Sequence, residues 1–514
     1  MDAPLVGADA TTGASVARGG LWMMVSKALP QLYALVLSIA AARYLGPDGM
    51  GRQSFIAFVE LAAAEVLSSS FSASLMRYVG ESIGAGRTGE ARWLASQMLR
   101  IMAGAAALGG GALILLGLLG HEPQGAWIFA GVTTASAVVA AAPGAVLVGL
   151  QRWRQATIAG LVTGGLGTVA TVAVLALGGG ITGMFAVEAV VGLIALAWTA
   201  ALAREALSGV SGDPVASPAL RRRTLRFAGY LSAGLLVNLI VWRRSELFFL
   251  NHYSTDRQIA FYSIAFAVVA ALVRLPSAMA QALAPAVATL VGAGAHERIR
   301  TGFGRSFRLL LILTMPIAAA AAAVGPETLR VIWGSEFGPA RDPFLIMVAA
   351  SLVTPLTALG WSLTTGLGRV RLPILADAAA AGVDIGLAFA LVPRHGAVGA
   401  AIANLAAQLA AGVPLIVYSW RIAGPIRWEP SALARAAVLS AIGGAAAWAI
   451  VSAVGGIAGV VLALLGGAAL FLGLAVTIGI LPRDDADWLA DAVGPRGGNA
   501  LRRFALALAG RRAS

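Results

Sequence analysis

Cysteine is absent from this 514-residue chain, and lysine occurs once, as Lys27. The first absence excludes disulfides and thiolate metal sites. The second leaves no G-x-x-x-x-G-K-[ST] loop, so transport driven directly by ATP has no nucleotide site to use. Charge is scarce as well: 12% of residues are charged, against about 25% in a soluble domain. The four histidines (His121, His252, His296 and His395) lie in or near loops, and no two stand at ligand spacing, so no metal and no cofactor is expected. Residues 1–17 lack a basic stretch followed by a short apolar run, and read as a cytoplasmic tail rather than a signal peptide.

What is present is apolar. Hydrophobic residues make up 59% of the chain, and mean hydropathy is +0.83. A chain of this composition is solvated by lipid. Its net charge of +13 does not point to nucleic acid, because the arginines fall between apolar runs rather than on one patch.

A membrane crossing needs about 20 apolar residues. Runs of that kind predict an all-α polytopic membrane protein with about fourteen transmembrane helices: 18–42, 52–76, 96–119, 125–149, 156–177, 183–203, 228–250, 259–291, 307–325, 341–366, 373–392, 398–420, 433–453 and 458–481. The expected division is an N-lobe of six helices over 18–203, a cytoplasmic linker over 204–226, and a C-lobe of six helices over 227–420. Two appended helices over 433–481 and a basic cytoplasmic tail over 482–514 follow. Within that tail, Leu501, Phe504 and Leu508 would share one side of a short interfacial helix, the alternative being a disordered basic tail. Arginines crowd into alternate loops, including Arg77, Arg87 and Arg92, then Arg152 and Arg154, then Arg221 to Arg223, then Arg369 and Arg371. Positive charge stays cytoplasmic, which places both termini inside the plasma membrane.

The two lobes repeat one another. Gly149-Leu150-Gln151-Arg152-Trp153-Arg154 returns as Gly366-Leu367-Gly368-Arg369-Val370-Arg371. Gly180 and Gly183 return as Gly396 and Gly399, and Arg43 to Asp48 faces His252 to Arg257, with Ser54 opposite Ser263. Six helices per repeat is an even number, so the expected pseudo-twofold axis runs along the membrane normal. Duplicated membrane domains are the usual build of secondary transporters, with the substrate site between the halves.

Three stretches resemble the polysaccharide (O-antigen type) flippases of the multidrug/oligosaccharidyl-lipid/polysaccharide exporter superfamily. They are Ala42-Arg43-Tyr44-Leu45-Gly46-Pro47-Asp48-Gly49, the Gly366–Arg371 loop, and Leu391-Val392-Pro393-Arg394-His395-Gly396-Ala397-Val398-Gly399-Ala400-Ala401. The resemblance spans roughly residues 18–481, and its motifs are packing and turn elements. It implies flipping of undecaprenyl-diphosphate-linked oligosaccharide from the inner to the outer leaflet of a bacterial inner membrane by alternating access. It also implies membrane lipids as surroundings and polysaccharide polymerase or export proteins as partners.

Charges inside apolar spans need a partner or water. Lys27 with Gln31, and Arg274 with Gln281, lie on polar stripes, and Glu65 is close to the level of Lys27 on the next helix. With Arg243 and Arg244 these residues are the expected lining of a central cationic cavity suited to a diphosphate, since arginine forks match phosphate oxygens. Lys27 paired with Glu65, and Arg243 and Arg244 paired locally with Glu246, are the structural alternatives. A second polar set, Asp377, Asp384 and Asn404, suits Na⁺ or a proton as the coupling ion, with a satisfied polar contact between helices as the structural alternative. An ion-coupled drug or small-molecule antiporter is the alternative function. A membrane glycan polymerase or ligase fits less well, because the outer loops are short and Glu327 and Glu336 are the only acids in the longest. No catalytic residue is expected, and the chain reads as a transporter rather than an enzyme.

Overall fold

The computed structural model describes residues 13–209, 212, 214, 218–242, 244–281, 283–369, 371–424, 429–493, 503 and 506–509. Every regular element among them is helical. Eleven helices are long and apolar enough to cross a membrane. Two of those eleven are each a pair of helices joined at a non-helical glycine, Gly46 and Gly396. With the seventh span beside them, the fourteen helices expected from the sequence are present. The chain is a multi-pass membrane protein.

It folds as two compact units, Met1–Leu239 and Ile240–Ser514. The first contains α1 (Gly13–Gly84, two helices meeting at Gly46), α2 (Thr88–Leu118), α3 (Gln124–Gly149), α4 (Trp153–Ala176), α5 (Gly180–Ser208) and nearly all of α6 (Pro218–Trp242). Leu75, Tyr78, Leu94, Met98, Met102 and Leu147 fill its larger core. Ile56, Leu113, Trp127 and Phe185 form a second cluster. The start of α6 is tied to α1 in three ways. Leu220 joins the larger core, the Ser74 hydroxyl donates to the Thr224 carbonyl at 3.0 Å, and Arg223 pairs with Glu81 at 2.8 Å.

The second unit contains α7 (Glu246–Tyr253), α8 (Asp256–Gln281), α9 (Leu283–Gly292), α10 (His296–Trp333), a 3-10 turn (Ser335–Ala340), α11 (Arg341–Ala350), α12 (Thr354–Gly366) and α13 (Arg371–Ala423, two arms meeting at Gly396). It ends with α14 (Pro430–Val454), α15 (Gly456–Leu474) and α16 (Arg483–Val493). Phe303, Phe307, Leu359 and Leu363 form the centre of its core. The appended α14 and α15 pack on α10, through Ile312, Leu439 and Phe471 in one cluster and Val324, Ala447 and Ala463 in another.

After α15 the chain folds back. Asp485 on α16 is fully buried and receives a bidentate bond from Arg308 of α10, with contacts of 2.7 to 2.9 Å. Arg305 adds a 3.2 Å contact. Ile480 and Leu481 both donate backbone N–H groups to the Leu508 carbonyl, at 2.9 and 3.0 Å. Of the expected interfacial face, Leu508 therefore packs back on the unit, while Leu501 and Phe504 lie outside the described residues.

The duplicated loop has one geometry in both units. At the end of α3, Gln151 N–H bonds to Val148 and Arg152 N–H to Leu147, at 2.9 and 2.8 Å. At the end of α12, Gly368 bonds to Thr365 and Arg369 to Thr364, again at 2.9 and 2.8 Å. This is the paired closure that ends a helix on a left-handed residue. That residue is Gly368 (φ +73°) in one unit and Gln151 (φ +62°) in the other. The preceding glycines also correspond. A Cβ on Gly149 would stand 2.9 Å from the Met76 carbonyl of α1, and one on Gly366 would stand 2.8 Å from the Ala284 carbonyl of α9.

Where the sequence predicts one span over 228–250, the structure has a break between α6 and α7. Arg244 adopts a left-handed φ of +62°, and the chain turns before Ser245 and Glu246 enter α7. That break positions the site described next.

Candidate cation site in the second unit

The turn at Arg244 sends neighbouring side chains to different places. The Arg244 guanidinium lies over the Phe266 ring, 5.4 Å from its centroid. Ser245 and Glu246 point into the core and are 8% and 1% exposed. The ring contact of Arg244 is with Phe266 of α8, while Glu246 turns toward α13. The left-handed residue ends helical spacing between them. The Arg243 side chain lies outside the described residues.

Both arms of α13 contribute to the site. Asp384, 0% exposed, comes from the first arm, and Asn404, 2% exposed, from the second. The Ser245 hydroxyl donates to Asp384 Oδ2 at 2.7 Å. Asn404 Nδ2 donates to Glu246 Oε1 at 2.8 Å. Gln408 Nε2, one turn further along, donates to Asn404 Oδ1 at 2.7 Å, and the Thr354 hydroxyl of α12 donates to Gln408 Oε1. Tyr262 of α8 is fully buried beside the Glu246 carboxylate.

Every donor in this chain is uncharged. One oxygen of each acid, Glu246 Oε2 and Asp384 Oδ1, is buried without a hydrogen-bond partner. An ionised carboxylate removed from water with half its acceptor capacity unused is costly, so such groups acquire a proton or a cation. Hard monovalent and divalent cations take oxygen ligands of this kind. Among the described residues, however, no three His, Cys, Asp or Glu side chains converge as a metal-ion cluster. Two carboxylates with hydroxyl and amide neighbours fit a proton or Na⁺ better than a transition metal.

Asp377 shares a face of α13 with Asp384 but has its own neighbour. Trp361 Nε1 of α12 donates to Asp377 Oδ2 at 3.3 Å. The structure thus joins Asp384 and Asn404 through Glu246 and sets Asp377 beside Trp361. Glu246, Ser245, Tyr262 and Gln408 are absent from the set read from sequence. The available signals were the i, i+4 spacing of Asn404 and Gln408, and an acid directly after a serine inside an apolar span.

The residues expected to line a cavity divide between the units. In the first, Gln31 is exposed and Glu65 half-buried, while the Lys27 side chain lies outside the described residues. In the second, Arg274 and Gln281 are exposed on α8, and Ser277 between them is half-buried. The first unit also contains a half-buried acid, Glu60 on α1, whose buried Oε2 lacks a hydrogen-bond partner and whose electrostatic neighbour is Glu188 of α5.

Residues 108–342 match a family described as polysaccharide biosynthesis protein. No curated protein matches the chain in sequence. Among solved structures, the lipid II flippase MurJ in an inward closed conformation aligns with a TM-score of 0.68. That alignment covers 89% of this chain and 98% of MurJ at 12% identity. An inward-facing multidrug resistance MATE family transporter of the MOP superfamily aligns with a TM-score of 0.64, over 81% of this chain and 99% of its own, at 16% identity. A MOP superfamily transporter from Pyrococcus furiosus, described as having a binding pocket of reverse polarity, aligns with a TM-score of 0.55 over 82% and 96% at 16% identity.

Proposed function

From a chain with the fold of MurJ and the MATE transporters, and a segment of the polysaccharide biosynthesis family, we propose a flippase for lipid-linked oligosaccharide. It moves an undecaprenyl-diphosphate-linked glycan from the cytoplasmic to the outer leaflet of a bacterial inner membrane by alternating access. The observation that carries this reading is the family match over residues 108–342 on a fold whose solved examples are transporters. The arginine-rich loops face the cytoplasm in this reading, by the positive-inside rule.

Coupling runs through the second unit. Glu246 and Asp384 exchange a proton or Na⁺, and Asn404 and Gln408 hold the Glu246 carboxylate in place. Occupancy neutralises two buried acids and changes the cost of packing α7 against α13, which lets an ion gradient bias one conformation over another. Lys27 and Arg274, with Gln31, Gln281, Glu65, Arg243 and Arg244, are the residues proposed to face the diphosphate.

The test is analysis of lipid-linked sugars in a strain lacking this protein. A flippase leaves its substrate stranded, so the intermediate accumulates facing the cytoplasm. A deletion strain with normal levels and normal surface polysaccharide, but altered sensitivity to cationic drugs, would favour the antiporter instead.

A further inference from the structure

The first unit has a second polar feature, away from any residue assigned above. The end of α1 and the start of α6 flank an open pocket of about 460 Å³ lined by Arg77, Tyr78, Arg222, Arg223, Arg226 and Phe227. Four guanidinium groups meet there. The one carboxylate paired with them is Glu81, 2.8 Å from Arg223.

The pocket is built rather than incidental. Tyr78 is 2% exposed, and its ring meets Phe227 edge-on at 5.9 Å. Arg77 lies over both rings, 5.5 Å from Tyr78 and 4.7 Å from Phe227, and Arg223 lies over Tyr78 at 5.2 Å. A guanidinium stacked on an aromatic face keeps its N–H edges free for an in-plane acceptor. The Ser74–Thr224 bond fixes the two helices at this point. Arg222 and Arg226, one turn apart on α6, are exposed and make no ion pair, hydrogen bond or ring contact among the described residues. Topology alone requires arginines on this side of the membrane, but it does not require four of them around an aromatic-backed hollow.

We propose that this pocket is a diphosphate-binding site, in which the headgroup of the lipid-borne substrate is held at the cytoplasmic surface before it enters the transport path. A diphosphate presents several anionic oxygens and suits convergent arginine forks, whereas the single phosphate of an ordinary phospholipid engages fewer of them. The proposal rests on the flippase reading for the identity of the ligand and on the arginine geometry for its chemistry.

The experiment uses the full-length purified protein and radiolabelled inorganic diphosphate, with farnesyl diphosphate and phosphatidylglycerol nanodiscs as competitors. Arg222→Gln and Arg226→Gln are compared with Arg152→Gln and Arg154→Gln, which alter arginines outside the pocket. Each pocket variant is expected to weaken diphosphate and farnesyl diphosphate binding roughly tenfold to a hundredfold, with the control variants unchanged. Farnesyl diphosphate should displace the label at concentrations where phosphatidylglycerol does not. Equal displacement by phosphatidylglycerol would make this an anionic-lipid site and overturn the proposal. So would a double pocket variant that binds as many diphosphates per protein, and as tightly, as the unaltered protein. The sugar analysis of the deletion strain is independent: a protein that binds diphosphate here, but whose loss strands no intermediate, would refute the flippase reading and leave the site standing.

Discussion

Asn404 holds Glu246 at 2.8 Å across 158 residues of chain. This one bond joins the second arm of α13 to the short helix that follows the break at Arg244, and it places a buried acid beside Asp384. Asn404 and Ser245 donate to one oxygen of each acid, and the second oxygens, Glu246 Oε2 and Asp384 Oδ1, are buried, an arrangement suited to loading and unloading a cation.

If that site couples transport to an ion gradient, Glu246→Gln and Asp384→Asn should each uncouple it. Translocation of the glycan-lipid would no longer respond to an imposed proton or Na⁺ gradient, while the protein remains at native levels. Asn404→Ala should weaken the response without abolishing it. The readout is translocation in vesicles under each gradient separately. A normal gradient response in Asp384→Asn would remove the site from the mechanism.

The twin helix ends make a paired stability prediction. Gln151 occupies a left-handed backbone conformation that costs an L-residue about 1–2 kcal/mol, so Gln151→Gly should raise the thermal midpoint in detergent. Gly368→Ala should lower it for the same reason. Gly366→Ala should lower it further, because the new Cβ would meet the Ala284 carbonyl at 2.8 Å and push α12 off α9. An unchanged midpoint in Gly366→Ala would show that this contact yields easily.

Breaking the buried Arg308–Asp485 pair from either side costs up to about 3–5 kcal/mol, offset in part by the Arg305 contact that Asp485 keeps when Arg308 is removed. Arg308→Met and Asp485→Leu should each destabilise the protein. The double variant should lose much less than the sum, since apolar side chains can fill the same space. Additive losses in that cycle would mean the two residues act separately.

The helices and their turns were readable because they depend on local pattern. Apolar runs between arginines gave the spans, and Gly180 and Gly396, read as a repeat, both adopt positive φ. The site was only half readable. Asp384, Asn404 and Glu246 all stood out as polar residues in apolar spans, but the link of Glu246 to the other two did not. Glu246 follows Arg243 and Arg244, and helical spacing makes them its natural partners. The turn at a non-glycine residue removed that spacing, and nothing in Trp242-Arg243-Arg244-Ser245 announces a left-handed backbone. Asp377 shares the helical face of Asp384, as its spacing indicates, and the neighbour it gains there, Trp361 of α12, was not legible from periodicity on one helix.

The clasp between Arg308 and Asp485 also sets a timetable. The two residues are 177 positions apart, and synthesis adds about 5–20 residues per second, so roughly 10–35 s separate their emergence. Arg308 therefore leaves the ribosome well before Asp485, and a chain cut short before Asp485 would keep the α14 and α15 spans while lacking the contact that ties α16 to α10.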